Sequence, residues 1–104
     1  MTVQEYRDYI AAGNPVVAGS DAHLFMHQMA QEAIRITMEI NNKYHTPEEL
    51  RKLFSELWDI EVPESFGMFP PFNTDCGKNT HIGERVFINS GCKFQDQGGI
   101  FIGN

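Results

Sequence analysis

The hydrophobic pattern of residues 70–104 repeats every six positions. An apolar residue followed by a small or polar one recurs at a constant step, in Cys76-Gly77, Ile82-Gly83, Ile88-Asn89 and Phe94-Gln95. This period matches neither the 3.6-residue repeat of an α-helix nor the two-residue alternation of a strand. It predicts a parallel β-solenoid, in which each six-residue unit forms one short face and one corner, and three faces close a triangular coil.

The same period predicts how many coils the chain contains. With about eighteen residues to a coil, residues 70–87 form a first coil and residues 88–104 a second. A small turn at Gln97-Gly98-Gly99 lengthens the second coil. The chain stops on Ile102-Gly103-Asn104, which is the opening of another six-residue unit. We interpret this ending as a truncation.

Residues 1–62 carry helical periodicity with helix start and stop signals. Thr2 and Glu5 have the spacing of a capping box, which predicts a helix through about Ala12. Ser20 or Asp21 begins a second helix that ends near Asn41. Its predicted buried face has steps of three and four. That face consists of Met26, Met29, Ala30, Ala33, Ile34, Thr37 and Ile40.

A third helix begins at Thr46 and Pro47, with Glu49 completing a second capping box. Beyond it, Phe66, Phe69 and Phe72 form a bulky extended segment that we expect to plug the open end of the solenoid. The predicted fold class is therefore mixed α and β. A helical region (1–62) precedes the first coils of a β-helix (63–104).

Composition and charge narrow the range of functions. The 104 residues carry a net charge of −6 without a cluster of Lys or Arg, which argues against a nucleic-acid partner. No apolar run approaches the roughly 20 residues of a membrane span, and no signal peptide is visible. We therefore expect a cytoplasmic protein without a membrane partner. Cys76 and Cys92 are interpreted as reduced interior residues.

The motifs resemble those of the maltose and galactoside O-acetyltransferases, a family of hexapeptide-repeat, left-handed β-helix enzymes. The resemblance covers the whole chain. It rests on the helical prefix joined to the strings PPF, DCGKN, HIG, FINSGC and QDQGG. It implies left-handed coils, a homotrimer, acetyl-CoA as co-substrate in a groove between subunits, and a sugar as acceptor.

The resemblance also implies which residues contact the sugar. Asp21 precedes the second helix, Asn89 lies in the coil, Asp96 follows seven residues later, and Asp75 corresponds to a further lining position. Carboxylates and amides match the donors and acceptors of sugar hydroxyls. Each of three also has a structural interpretation: Asp21 as a helix N-cap, Asn89 as a corner residue and Asp96 as a cap of its own turn.

The general base of the family is a histidine one coil further along, which the resemblance places beyond Asn104. No residue of this chain matches it, and the later coils that form most of the acetyl-CoA groove have no counterpart here. The chain by itself is therefore predicted to be inactive. The alternative hypothesis is a non-catalytic relative or fragment that acts only through self-association along its exposed coil edge.

The histidines are candidate metal ligands that we do not favour. His23 and His27 are spaced four apart on a predicted helix, but no third ligand is evident nearby. His81 ends a six-residue unit without partner histidines, and His45 precedes a helix cap. No metal is expected.

Overall fold

Three helices precede six short strands in the computed structural model, which describes all of residues 1–104. The helices are α1 Val3–Ala11, α2 Asp21–Asn42 and α3 Pro47–Trp58. The strands are β1 Gly67–Met68, β2 Phe72–Thr74, β3 Thr80–Ile82, β4 Phe87–Ile88, β5 Cys92–Phe94 and β6 Ile100–Ile102.

The helices begin where the sequence predicts. In α1, the Thr2 hydroxyl accepts from the Glu5 N–H (3.1 Å) while Glu5 accepts from the Thr2 N–H (2.7 Å). The same reciprocal pair opens α3. In α2 the N-cap is Ser20, whose hydroxyl accepts from the His23 N–H at 3.3 Å. Asp21 is therefore the first helical residue rather than the cap.

Two stacked coils follow the helices. Each strand pairs in parallel with the strand 20 residues later, as Gly67 does with Phe87, Phe72 with Cys92, and Thr80 with Ile100. The three resulting two-stranded sheets are the faces of the coil. The coil is thus longer than the predicted eighteen residues and begins at Gly67 instead of Pro70. The extra length lies in a corner that is present in both coils, at 75–79 and 95–99, and not in the second alone.

One hydrophobic core joins the helices to the coils. Its centre is aromatic: the Phe54 ring lies 5.4 Å from Phe66 and 5.1 Å from Phe72, and the Phe72 ring lies 5.0 Å from Phe94 in the second coil. Thirteen buried residues form the cluster. They are Ala33, Ile36, Ile40, Leu50, Phe54, Leu57, Trp58, Val62, Phe66, Met68, Phe72, Val86 and Ile88.

Part of the predicted aromatic plug lies elsewhere. Phe66 and Phe72 are buried, whereas Phe69 is 60% exposed and packs edge-on against Phe87, outside the coil. Successive residues of an extended segment point to opposite sides. Met68 faces the core, and the next residue, Phe69, therefore faces outward.

The buried face of α2 differs from the prediction at three positions, the first of which is Ala22, a buried residue outside the predicted face. Ile34 is 47% exposed, and Ile36 is buried instead. Ile34 lies one residue beyond buried Ala33, about 100° around the helix, whereas Ile36 lies three residues beyond and returns close to the same face. Met38 also faces solvent.

Cys76 is buried as predicted, but not inside the coil. It packs against Tyr6 and Met29, because residues 75–79 leave the face of the coil and turn towards α1 and α2. Cys92 is partly buried against the main core, and neither cysteine forms a disulfide.

Two cations attach the corner at 75–79 to the end of α3. The Lys78 ammonium is nearly buried and donates to the carbonyls of Glu56 and Leu57, both at 2.8 Å. The Arg7 guanidinium of α1 donates to the carbonyls of Trp58 (2.8 Å) and Lys78 (2.6 Å). Cations at a helix C-terminus satisfy free carbonyls and complement the helix dipole.

None of the three helices has the length and apolar character of a transmembrane span.

Candidate functional site

Two of the four predicted sugar-binding residues come together where the corners of the two coils stack. The Asp96 backbone N–H donates to Oδ1 of Asp75 at 3.0 Å. We call the segment 74–80, together with Asp96, the acidic corner. Because Asp75 and Asp96 belong to successive coils, the stacking of the coils creates this contact.

The Asp96 carboxylate is the organising group of the acidic corner. It has no exposed surface, and each of its oxygens accepts two hydrogen bonds. Oδ1 accepts from the Gly77 N–H (2.9 Å) and the Thr74 hydroxyl (3.2 Å). Oδ2 accepts from the Asn79 N–H (3.1 Å) and the Thr80 hydroxyl (2.8 Å). In this arrangement Asp96 holds the preceding coil's corner in shape, and its oxygens are saturated by protein donors.

Gly77 allows the acidic corner to approach α3. Its φ is +83°, and a Cβ there would lie 2.7 Å from Leu57 Cδ1 and 3.1 Å from the Leu57 carbonyl oxygen. A side chain would therefore displace the segment from Asp96 and from the end of α3.

Burial keeps the Cys76 thiol and the Tyr6 phenol, which lie in and beside the acidic corner, in their neutral forms. It raises the pKa of Cys76 and the pKa of Tyr6 each to about 12, and neighbouring acidic groups add to both shifts. The Tyr6 hydroxyl is fully buried and has no hydrogen-bond partner. Neither side chain supplies a nucleophilic anion at neutral pH.

Asp75→Asn is expected to stabilise the chain at neutral pH. Burial first, and then the charge of Asp96, raise the pKa of Asp75 above its ordinary value of 3.8. The folded chain therefore holds this proton more tightly than the unfolded chain, and stability falls as pH rises from about 4 through the folded-state pKa. Asparagine retains the acceptor for the Asp96 N–H without ionising.

Urea unfolding of the parent and of Asp75→Asn across this pH range tests the expectation. The variant should match the parent at low pH and exceed it by about 0.5 kcal/mol at pH 7, on the scale of a partly exposed substitution. Identical profiles would show that the ionisation of Asp75 does not lower the free energy of unfolding.

The other two predicted sugar-binding residues lie apart from the acidic corner. Asn89 and Asp21 are exposed, and no hydrogen bond joins either to Asp75 or Asp96. The amide oxygen of Asn89 accepts from the following N–H of Ser90 at 2.8 Å. Asn89 does not adopt the left-handed conformation, which this part of the coil uses at Arg85 and Gly91.

Sequence reasoning missed a groove between α1 and the sheet of β3 and β6. We call it the α1 groove; it has a volume of about 250 Å³. The His81 ring stacks on Phe101, with centroids 4.7 Å apart and planes 13° from parallel. Its lining residues are Gln4, Arg7, Asp8, Ile10, Ala11, Asn79, His81, Gly98 and Phe101.

The missing signal was the length of the coil. His81 lies beside Phe101 only when strands pair 20 residues apart, as β3 and β6 do. A coil of eighteen residues would pair His81 with Gly99, so the predicted coil length did not indicate the stacking of His81 on Phe101. Gly99 instead lies beneath the aromatic ring, where a Cβ would approach Phe101 to 3.1 Å.

The paired histidines of α2 contact each other directly. Their Nε2 atoms are 3.0 Å apart, and the Gly19 N–H donates to Nδ1 of His23. No group of three or more His, Cys, Asp or Glu side chains is arranged to hold a metal ion.

Comparison with protein-family models gave no match, and neither did comparison with curated proteins. Among solved structures, the chain is similar to a hexapeptide-repeat-containing acetyltransferase of Vibrio cholerae O1 biovar eltor complexed with acetyl coenzyme A. The identity is 25%, the match covers 99% of this chain and 52% of that chain, and the TM-score is 0.69. A further structure of this Vibrio cholerae acetyltransferase matches at 26% identity over 83% of this chain and 46% of that one, with a TM-score of 0.65.

The chain thus spans about half the length of the acetyltransferases it matches. The likeness extends through both the helices and the coils. It confirms the coarser part of the sequence prediction: the chain has the fold of hexapeptide-repeat acetyltransferases.

Proposed function

We propose that the chain belongs to an acetyl-CoA-dependent O-acetyltransferase that acts on a sugar hydroxyl, of the maltose and galactoside type. The observation that carries this proposal is the likeness, over 99% of the chain, to an acetyltransferase complexed with acetyl coenzyme A. The maltose and galactoside type is proposed from the sequence motifs. In this proposal residues 1–104 supply the helical region and the acceptor-side coils.

The reaction transfers the acetyl group directly from the sulfur of coenzyme A to the oxygen of the sugar hydroxyl. The sugar hydroxyl oxygen attacks the thioester carbonyl carbon, a new C–O bond forms, and the C–S bond breaks to release coenzyme A. A general base takes the hydroxyl proton, because an alcohol at neutral pH is a weak nucleophile. The base then passes this proton to the departing sulfur. We place this base, a histidine, beyond Asn104.

The four candidate residues would contribute differently. The exposed side chains of Asn89 and Asp21 have oxygens free to bond sugar hydroxyls, and half-buried Asp75 retains one carboxylate oxygen for the same purpose. Asp96 is buried and would act as a positioning residue, through its hold on Asp75 and on the 77–80 segment. Direct contact between Asp96 and a sugar stays a prediction.

The acetyl-CoA groove is also proposed to form largely outside this chain. Coenzyme A carries phosphates that basic side chains commonly bind. Within the chain, Arg7 and Lys78 are committed to carbonyls at the end of α3, and Arg35 pairs with Glu56 at 2.9 Å. These cations therefore do not form a phosphate cradle.

We further propose a cytoplasmic homotrimer. Phe69 and Phe87 are 60% and 54% exposed on the outside of the coils, which supports burial against neighbouring copies. The same exposure favours the alternative function, in which the chain acts only by self-association.

Release of coenzyme A from acetyl-CoA, measured with a panel of maltose, galactosides and other sugars, separates the two functions. We expect no turnover by residues 1–104 alone and turnover by a version extended with further coils that carry the histidine. Asn89→Ala in the extended version should lower kcat/KM for the sugar by about tenfold while leaving the KM for acetyl-CoA unchanged. Turnover by residues 1–104 alone would refute the placement of the base, and an inactive but trimeric extended version would favour the alternative.

A further inference from the structure

The α1 groove has the size of a site for a small ligand. Pockets for drug-sized molecules commonly have volumes of about 300–1,000 Å³, so a groove of about 250 Å³ suits a molecule with a single ring. Phe101, which is 76% exposed, and Ile10 give it an apolar wall. The remaining lining is mostly polar, and its hydrogen-bonding state indicates the chemistry of an occupant.

Asn79 presents an amide group without a protein partner. The residue is 96% buried, since its exposed fraction is 4%, and it lines the groove. Its Oδ1 is bonded to Nε2 of His81 at 2.9 Å, whereas its Nδ2 makes no hydrogen bond within the protein. The fully buried polar side-chain atoms without a partner are the Tyr6 hydroxyl and the Trp58 indole nitrogen, so Nδ2 of Asn79 reaches the open space of the groove and is free to donate to an occupant there.

The bond to Asn79 fixes the tautomer of His81. Because the Asn79 oxygen can only accept, Nε2 of His81 carries the hydrogen, and Nδ1 of the neutral ring is left as an acceptor. Burial, followed by the charge of Arg7, lowers the pKa of His81, while Asp96 opposes the shift. The ring is neutral at pH 7 and needs a donor from any occupant.

The charged groups of the groove balance each other. Arg7 contributes one positive charge, and its Nε and Nη2 already donate to carbonyls, which leaves Nη1 without a protein acceptor. Asp8 contributes one negative charge and accepts from the Gln4 amide at 2.9 Å. A neutral occupant suits this balance better than an anion or a cation.

We propose that the α1 groove binds a small, neutral, hydroxyl-rich ligand of the size of one sugar ring. One hydroxyl of the ligand donates to Nδ1 of His81, a second hydroxyl accepts from Nδ2 of Asn79, and the C–H surface of the ring packs against Phe101. A hydroxyl both donates and accepts, whereas a carboxylate only accepts and would face the lone pair of Nδ1. The site shares no residue with the sugar-binding set of the proposed acetyltransferase and needs no acetyl-CoA.

Titration of the 15N-labelled chain with D-glucose at pH 7, followed by NMR, tests this site without acetyl-CoA. We expect saturable shifts of the Asn79 side-chain amide and of the His81 ring, and no saturable shift with acetate. His81→Phe keeps a flat ring to stack on Phe101 but removes both ring nitrogens, so it should weaken glucose binding at least tenfold. His27→Phe removes an imidazole outside the groove and should bind as the parent does.

A second variant guards against a folding defect in His81→Phe. Ala11 is exposed at the end of α1 and lines the groove, so Ala11→Trp should fill the space and abolish the shifts while leaving every polar group in place. Binding unchanged in either groove variant, saturable acetate binding in place of glucose, or no saturable shift with glucose would each overturn the proposal. Because acetyl transfer is not measured, failure here leaves the proposed acetyltransferase function untouched.

Discussion

Asp96→Ala is expected to lower the free energy of unfolding by about 4 kcal/mol, the largest loss among the substitutions considered. The carboxylate is fully buried and accepts four hydrogen bonds, two from backbone N–H groups and two from hydroxyls. Each buried donor left without an acceptor costs roughly 1–3 kcal/mol, although hydroxyls can turn to other partners and water can enter the space. Domains of this size have only about 5–15 kcal/mol of total stability.

Urea denaturation followed by far-UV circular dichroism measures this loss. Asp96→Asn keeps one of the two acceptor oxygens but places an amide against two donors, so its loss should be smaller than that of alanine and still exceed 1 kcal/mol. Asp21→Ala is the matched control, because Asp21 is another predicted sugar-binding aspartate but is exposed; a change within about 0.5 kcal/mol is expected. Equal losses at Asp96 and Asp21 would contradict a structural role for Asp96.

Phe72→Ala is expected to cost about 3–4 kcal/mol and to weaken the helices together with the coils. The Phe72 ring is fully buried between Phe54 and Trp58 of α3 and Phe94 of the second coil. Truncation of a buried phenylalanine loses its transfer free energy and leaves a cavity. Since the ring contacts both parts of the chain, we expect helical circular dichroism and near-UV aromatic signals to shift to the same lower urea midpoint.

Phe69→Ala provides the matched control for Phe72→Ala. It removes the same side chain three residues earlier, from a position that is 60% exposed, and should cost less than 1 kcal/mol. Separate transitions for the helices and the coils would show that 1–62 and 63–104 unfold independently. The division of the chain into those two regions stays a prediction.

Features that depend on neighbouring residues could be predicted from the sequence. The capping boxes at Thr2 and Thr46 gave helix starts that agree with the structure, because both partners lie within one helical turn. The six-residue step of Ile82 and Ile88 likewise indicated coils. Cys76-Gly77 followed the same step while lying in a corner outside the coil face, and this coincidence produced a coil that was too short.

Features that depend on the stacking of one coil on the next could not be predicted. The four donors to Asp96 come from positions 16–22 residues earlier, and their convergence depends on the true coil length. The same holds for His81 and Phe101. For Asp96, the resemblance suggested a sugar contact, whereas the local chemistry of a buried carboxylate explains its surroundings without one.

The packing of Trp58 also gives the protein a built-in optical reporter. It is the only tryptophan of the chain, it has no exposed surface, and its indole N–H has no hydrogen-bond partner. Its ring touches Phe54, Phe66 and Phe72, so its surroundings are dry only while helix and coil remain together. Native emission should therefore lie at short wavelength, and a shift to longer wavelength would signal water entering this junction, even if the helices themselves persist.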